Sequence, residues 1–339
     1  MINKEIEKKL KIYDFDAHAM RGKTFYEGIL KYRAKILPRH KWRIRKPGDF
    51  QCVLCGGKRG NLFLEWEKGY QLYSCPVCKA VSANIAGDTK HIDDVYNNEV
   101  YYRKFEKEIL KQYAYRKKTQ GAERYDYVVK RLGLNPKKAR ILDLGCGAGY
   151  FVSVLKERGV GVARGLEVNP AQVKYCQKHG LNVAGTDLSG EPDGFYDCIT
   201  MFDVLEHLSD PVETMKIARK KLAPGGFIVA YTPNIHSLAY FLMGSGQNTL
   251  LPFEHFCFYS DEAFNYLARK SGLKMHTIEV RGLDVMDYLL MKEYEDSTPY
   301  TERLRRFMNV LQGCVDLLRL GNHFRATFEK SGTNPRIKK

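Results

Sequence analysis

The sequence predicts an α/β protein built on a mostly parallel sheet, with a small metal-stapled module in front, and three observations carry that expectation. From Pro136 onward, apolar strand-like runs alternate with amphipathic helical stretches, the pattern of consecutive βαβ units. The first of those runs ends in a glycine-rich turn, Gly145-Cys-Gly-Ala-Gly149, that opens into a helix. Ahead of it stand two Cys-x-x-Cys pairs, a spacing that suits a tetrahedral metal site.

The 339 residues divide accordingly. Residues 1–48 read as a basic helical arm, in which Phe25, Ile29, Tyr32 and Ile36 recur near helical spacing before Pro38 interrupts the pattern. Residues 49–90 form a ribbon-like cysteine module. Residues 91–135 are a helical connector and lid, with Val95, Tyr102, Phe105, Ile109, Tyr113 and Val128 as its apolar positions. The main domain spans 136–330, with a helical insertion near 284–320, and 331–339 is a tail. Strands are expected at Arg140–Leu144, Ala163–Glu167, Asn182–Thr186, Tyr196–Phe202 and Gly226–Thr232, followed by Lys274–Val280 and Asn322–Phe328.

Charge and cysteine usage narrow the function classes. The formal net charge is +16, and residues 1–50 hold 14 Lys and Arg against 6 Asp and Glu. Such a surface suits nucleic acid, anionic headgroups or a phosphorylated small molecule. No run approaches the ~18 apolar residues of a membrane span, so a soluble chain is expected. The first ten residues alternate Lys, Glu and Ile without the apolar core of a secretory signal. Outside the two pairs, Cys146, Cys176, Cys198, Cys257 and Cys314 are scattered, which fits a reducing, cytoplasmic setting.

Cys52-Val-Leu-Cys55 and Cys75-Pro-Val-Cys78 are separated by nineteen residues. Each pair bends the backbone so that two thiolates face one point, and two such knuckles complete a closed Zn²⁺ site with no position left for substrate. About forty residues bury too little core to fold alone, so metal binding becomes folding energy.

Within Ile141-Leu-Asp-Leu-Gly-Cys-Gly-Ala-Gly-Tyr-Phe151, Asp143 precedes the glycines; Glu167 ends the next strand in Gly-Leu-Glu-Val-Asn, and Asp187 ends the third in Gly-Thr-Asp-Leu. Three carboxylates thus line the C-terminal edge of successive strands, where open α/β sheets bind ligands. From about residue 110 to 330 this constellation resembles the class I S-adenosylmethionine (SAM) dependent methyltransferases. The resemblance implies a Rossmann-like, seven-stranded, mostly parallel sheet and SAM as cofactor. It assigns the ribose hydroxyls to Glu167, with Val168 beside it, and the methionine part to Gly145, Cys146, Gly147 and Gly149. Phe151 and Phe202 flank the same site, Asp143 orients the loop or reaches the amino group, and Asp187 with Leu188 meets adenine. Arg116 and Arg124, with Tyr115, are candidates to clamp the carboxylate.

After the fourth strand, Phe202-Asp-Val-Leu-Glu-His-Leu-Ser-Asp-Pro211 places Asp203, Glu206 and His207 where an acceptor must approach the methyl group. Methyl transfer is an in-line displacement that rewards positioning, and a base helps where the nucleophile carries a proton. His207 is the first candidate base, oriented by Glu206 or Asp203, and His255 is the second. A four-cysteine module, helical connector and this core together resemble methyltransferases of sugar and cell-surface polysaccharide pathways, and the core is similar to the ubiquinone-biosynthesis type. The expected reaction is therefore O-methylation, or C-methylation, of a sugar, nucleotide sugar, glycan or related small metabolite. Two alternatives stand beside it. Asp203, Glu206, His207 and His255 can hold Mg²⁺ or Mn²⁺, a set similar to that of small-RNA 2′-O-methyltransferases, which would make RNA the acceptor. A non-catalytic binding module on the same fold is the other. A membrane-surface contact through the basic arm is a further expectation, and the oligomeric state is open.

Overall fold

The computed structural model describes residues 15–40, 43–86 and 110–337. Val95, Tyr102, Phe105 and Ile109 of the expected connector lie outside them.

The cysteine module contributes β1 (Asn61–Glu65), β2 (Gln71–Ser74) and β3 (Val81–Ala83), an antiparallel ladder. Its fourth strand comes from far along the chain: β9 (Cys257–Phe258) pairs antiparallel with β3, Ser82 opposite Cys257. Phe50, Cys52, Leu54, Tyr73, Cys75, Cys78 and Ala80 consequently share one apolar cluster with Leu142, Ile199, Ile228 and Phe264 of the main domain.

The main sheet has seven strands: β4 (Arg140–Leu144), β5 (Val162–Leu166), β6 (Val183–Ala184), β7 (Tyr196–Phe202), β8 (Leu222–Pro233), β10 (Lys274–Arg281) and β11 (His323–Glu329). Their spatial order is β10-β11-β8-β7-β4-β5-β6; the last five are parallel, while β11 runs antiparallel to both β8 and β10. This is the expected Rossmann-like α/β architecture. Each central strand is apolar on both faces because helices cover both. Ile141, Cys198, Phe227 and Val229 pack on one side with Val128, Phe151 and Leu155; Leu142, Ile199, Ile228 and Ala230 pack on the other with Met215, Ala218 and Leu267.

Several local expectations are corrected. The arm helix runs Phe25–His40 straight through Pro38, because a proline in a last turn removes a single intrahelical bond. The Pro224-Gly-Gly segment lies inside β8 as a bulge, where the register against β7 slips between Tyr196 and Cys198. The third strand shrinks to Val183–Ala184. Residues 113–131 form one continuous helix in which π-helical turns at Lys117–Gly121 and Asp126–Arg131 alternate with α-helical ones.

The arm folds back on its own chain. Arg33 is 2% exposed, and its guanidinium donates to the Ser245, Gln247 and Leu250 carbonyls. Arg21 pairs with Asp287, and the Phe15 amide donates to Asn309. The helices Asp284–Asp296 and Arg305–Leu317, built from the insertion, thus receive the arm. Among the described residues no helix is long and apolar enough to cross a membrane.

Candidate functional site

The C-terminal ends of β4, β5 and β6 form the first half of the site. Gly145 and Gly149 both take left-handed conformations, φ 69° and 74°, and a β-carbon there would come within 2.5 Å of Val204 and 2.7 Å of Leu181. Only glycine satisfies both demands. The turn these residues make aims the Gly147 N–H at the carboxylate just past β5. Glu167 Oε2 accepts from the Gly147 amide at 2.8 Å, and Oε1 from the Asn169 amide at 2.9 Å. Asn169 in turn caps the helix Pro170–Lys178, accepting from the Ala171 and Gln172 amides. Asp143 is buried and accepts the Thr200 hydroxyl at 2.6 Å; burial pushes its carboxyl up to about 7, against the pull of Thr200 and Arg124. Asp187 is exposed and caps the Leu188–Gly190 turn through Ser189, while Leu188 is buried beneath it. Val168 is exposed and Cys146 buried. Phe151 departs from expectation: it is 1% exposed and packs edge-on against Phe202, 5.3 Å between centroids, in the core behind the glycine turn. The first turn of a helix that seals a sheet face points its large apolar side chain inward.

Arg116 and Arg124 both line a cavity of about 160 Å³ together with Tyr150, Asp203 and His323. Arg124 lies 4.0 Å over the Phe202 ring, donates to the Tyr150 hydroxyl, and stands 3.9 Å from Asp203. Arg116 is held by the Met20 carbonyl and Gln112, and burial pulls its guanidinium down to about 10. Tyr115 is committed elsewhere, accepting the Asp16 amide at 2.7 Å. Met286, Met308 and Gln312 of the helices after β10 also line the cavity.

The second half lies beyond β7. Asp203 adopts φ 59°, unusual outside glycine, and stands 3.4 Å from His323 Nε2. Desolvation opposes its charge, but His323 and Arg124 hold its carboxyl below the usual carboxylate range. The turn Leu205–His207 follows. Glu206 is fully buried, and neither carboxylate oxygen has a hydrogen-bond partner within 3.5 Å, although the Thr232 hydroxyl also acts on it. Burial, then the Asp203 charge, drive its carboxyl well above its ordinary value. His207 donates from Nδ1 to the Glu254 carbonyl at 2.9 Å, and His255 from Nδ1 to the Thr249 carbonyl at 2.7 Å. The two rings meet edge to face at 4.6 Å. Burial lowers His207 to about 4 and His255 well below its ordinary value. One ligand atom from each of Glu206, His207 and His255 lies within 4.8 Å of the others. A backbone-anchored Nδ1–H fixes the tautomer and the orientation of the ring, as in imidazoles that bind a metal.

The four cysteines also converge. Their sulfurs all lie within 4.8 Å of one another, with Cys52 to Cys78 at 3.4 Å and Cys55 to Cys75 at 3.5 Å. Both knuckles repeat one backbone pattern: Cys52 and Cys75 donate to the Gly57 and Ala80 carbonyls, and accept from the Gly56 and Lys79 amides. Four thiols at tetrahedral spacing can hold Zn²⁺.

His323, Tyr150 and the network of Glu123, Arg281, Arg325 and Tyr231 beneath Arg124 were not singled out from sequence. Tyr150 adjoins the glycine turn and could have been. His323 arrives from the last strand and carries no local signal.

A family model described as a methyltransferase domain matches residues 115–278. The ubiquinone biosynthesis O-methyltransferase of Chromobacterium violaceum is 26% identical over 198 residues, 54% of this chain and 84% of that protein. The protein of the same name from Xanthomonas oryzae pv. oryzae is 33% identical over 120 residues, 33% of this chain; this chain spans 49% of its length. Among solved structures, a SAM dependent methyltransferase from Archaeoglobus fulgidus is similar at a TM-score of 0.47 and 23% identity, over 68% of this chain and 100% of that one.

Proposed function

We propose a reaction for this chain on the premise that it is a class I SAM-dependent methyltransferase: transfer of the methyl group to a hydroxyl oxygen of a small, sugar-type metabolite. Oxygen as the accepting atom is supported by the O-methyltransferase names of its relatives. A small acceptor is supported by the cavity of about 160 Å³, which Met286, Met308 and Gln312 help to line. A sugar-type acceptor rests on the resemblance of the cysteine-module architecture to polysaccharide-pathway enzymes. Charge on the arm that pointed to RNA is partly turned inward at Arg33 and Arg21, which weakens the RNA alternative. A cytoplasmic setting is supported by the number and scatter of the cysteines.

SAM supplies an electrophilic methyl group when bound. In this reading Glu167 holds the ribose, its two carboxylate oxygens oriented by the Gly147 and Asn169 amides. The glycine turn faces the methionine part, Arg124 and Arg116 the carboxylate, and Asp187 with Leu188 the adenine. His207, at about 4, is a weak base at neutral pH. The orphaned Glu206 carboxylate between two neutral imidazoles is the observation that favours a divalent cation instead. Mn²⁺ matches two nitrogens and one oxygen better than Mg²⁺, and such an ion would orient and acidify an acceptor hydroxyl. Glu206, His207 and His255 would be its ligands.

The test is to incubate the chain with SAM and panels of nucleotide sugars, phenols and RNA, with and without Mn²⁺, and to follow the gain of one CH₂ by mass spectrometry. Methylation confined to RNA would discard the small-acceptor reading. Turnover indifferent to Mn²⁺ and to removal of divalent ions would discard the cation.

A further inference from the structure

The peptide of Phe256 ties two sites together. Its N–H donates to the Glu206 carbonyl at 2.7 Å, and its carbonyl accepts from the Ala83 amide at 3.0 Å. On one side lies the Leu205–His207 turn; on the other lies β3 of the cysteine module. His255 immediately precedes this peptide, and β9 immediately follows its nitrogen's residue. The clamp extends in both directions. His207 donates to the Glu254 carbonyl, and the Tyr259 hydroxyl donates to the Leu205 carbonyl at 3.2 Å. Ser82, opposite Cys257 in the ladder, is fully buried; its hydroxyl accepts from the Val53 amide at 3.2 Å and donates to the Cys52 sulfur at 3.6 Å. An unbroken path therefore runs from a thiol ligand, through one hydroxyl and one strand pair, to the backbone that carries His255.

We propose that the cysteine module sets the position of His255, with Ser82 as the positioning residue, so that the state of the four-thiol site is coupled to ligand binding at Glu206, His207 and His255. Metal at the thiols fixes the first knuckle, the knuckle fixes Ser82 and β3, and β3 holds 256–258 against the Leu205–His207 turn. Coupling of this kind is reciprocal: whatever factor the thiol metal adds to affinity at the histidine cluster, a cation at the cluster returns to the thiol site. The glycine turn and Glu167, which follow β4 and β5, share no strand with this path, so cofactor affinity stands outside the proposed coupling. The module then does more than stabilise the chain; it holds one reacting half of the site in register while leaving the other half alone.

The test uses the full chain with its bound metal measured, comparing wild type with Ser82→Ala, which keeps all four thiols. Hydrogen exchange followed by mass spectrometry reads the 254–259 amides, and calorimetry reads Mn²⁺ and SAM. The expected result is faster exchange across 254–259 and about tenfold weaker Mn²⁺ binding, the size of effect typical of groups behind a metal ligand, with SAM affinity unchanged. Equal exchange in variant and wild type overturns the proposal. So does a parallel loss of SAM affinity, which marks general loosening. The Mn²⁺ arm rests on the cation reading above, and the exchange arm does not: a wild type that ignores Mn²⁺ discards the cation, while the 254–259 amides still decide the positioning role. Should Ser82→Ala fail to fold, wild type stripped of its thiol metal and then reloaded supplies the same comparison.

Discussion

The two halves of the crevice are prepared differently. On the glycine side the buried polar groups that end the strands are satisfied: Glu167 accepts two amides, Asp143 a hydroxyl, and Asn169 caps a helix. On the histidine side Glu206 has none, and two imidazoles are kept neutral around it. A satisfied carboxylate is ready to add a ligand to bonds it already makes. An orphaned one is destabilising until something arrives, since an unpaired buried polar group costs about 1–3 kcal/mol. The first arrangement suits a cofactor that comes and goes; the second suits a resident ion.

Four substitutions break or sharpen that contrast. Cys75→Ser has the largest expected effect, loss of the thiol-bound metal and about 4 kcal/mol of stability, seen as a Tm lower by roughly 10 °C. A metal-free wild type of equal Tm would contradict the structural role. Glu167→Ala should weaken SAM binding about a hundredfold, the worth of two hydrogen bonds to a charged group, with the melting curve little changed; undiminished affinity by calorimetry would remove the ribose assignment.

Asp143→Asn acts through pH. In the folded chain Asp143 keeps its proton up to about 7, whereas the unfolded chain releases it near 3.8. The folded state thus binds more protons between those values, so stability is greatest below the lower one and falls by about 1.4 kcal/mol per pH unit up to the higher. Denaturant melts from pH 4 to 7 should show this decline in wild type and a flatter profile in Asp143→Asn. The smallest effect, opposite in sign, is expected of Glu206→Leu: without added divalent ion it should raise stability by about 1 kcal/mol and abolish Mn²⁺ binding. A Glu206→Leu chain less stable than wild type would mean that the carboxylate is satisfied after all.

What could be read in the sequence tracks how local each signal is. The glycine turn, Asp143, Glu167 and Asp187 are each fixed by a strand and the turn that follows it, so periodicity and punctuation find them. The two cysteine knuckles are equally self-contained. By contrast β9 is two residues long, and it becomes a strand only because β3, some 170 positions earlier, supplies its partner. Its role was invisible for that reason. His323 meets Asp203 across 120 positions, and Phe151 turned inward because the packing of Val128, Phe202 and Phe227 around it, not its place after the glycines, decides its direction. Pro38 misled through propensity: the break it signals is real in mid-helix and harmless in a final turn.

The left-handed backbone at Asp203 sets folding and chemistry at odds. Glycine would relieve about 1 kcal/mol there, but it would also remove the carboxylate that faces Arg124 and His323, and a carboxyl held ionised by such partners favours the folded chain. Relief of backbone strain is therefore a misleading guide at this residue, and engineering that begins from robustness should hold position 203 fixed.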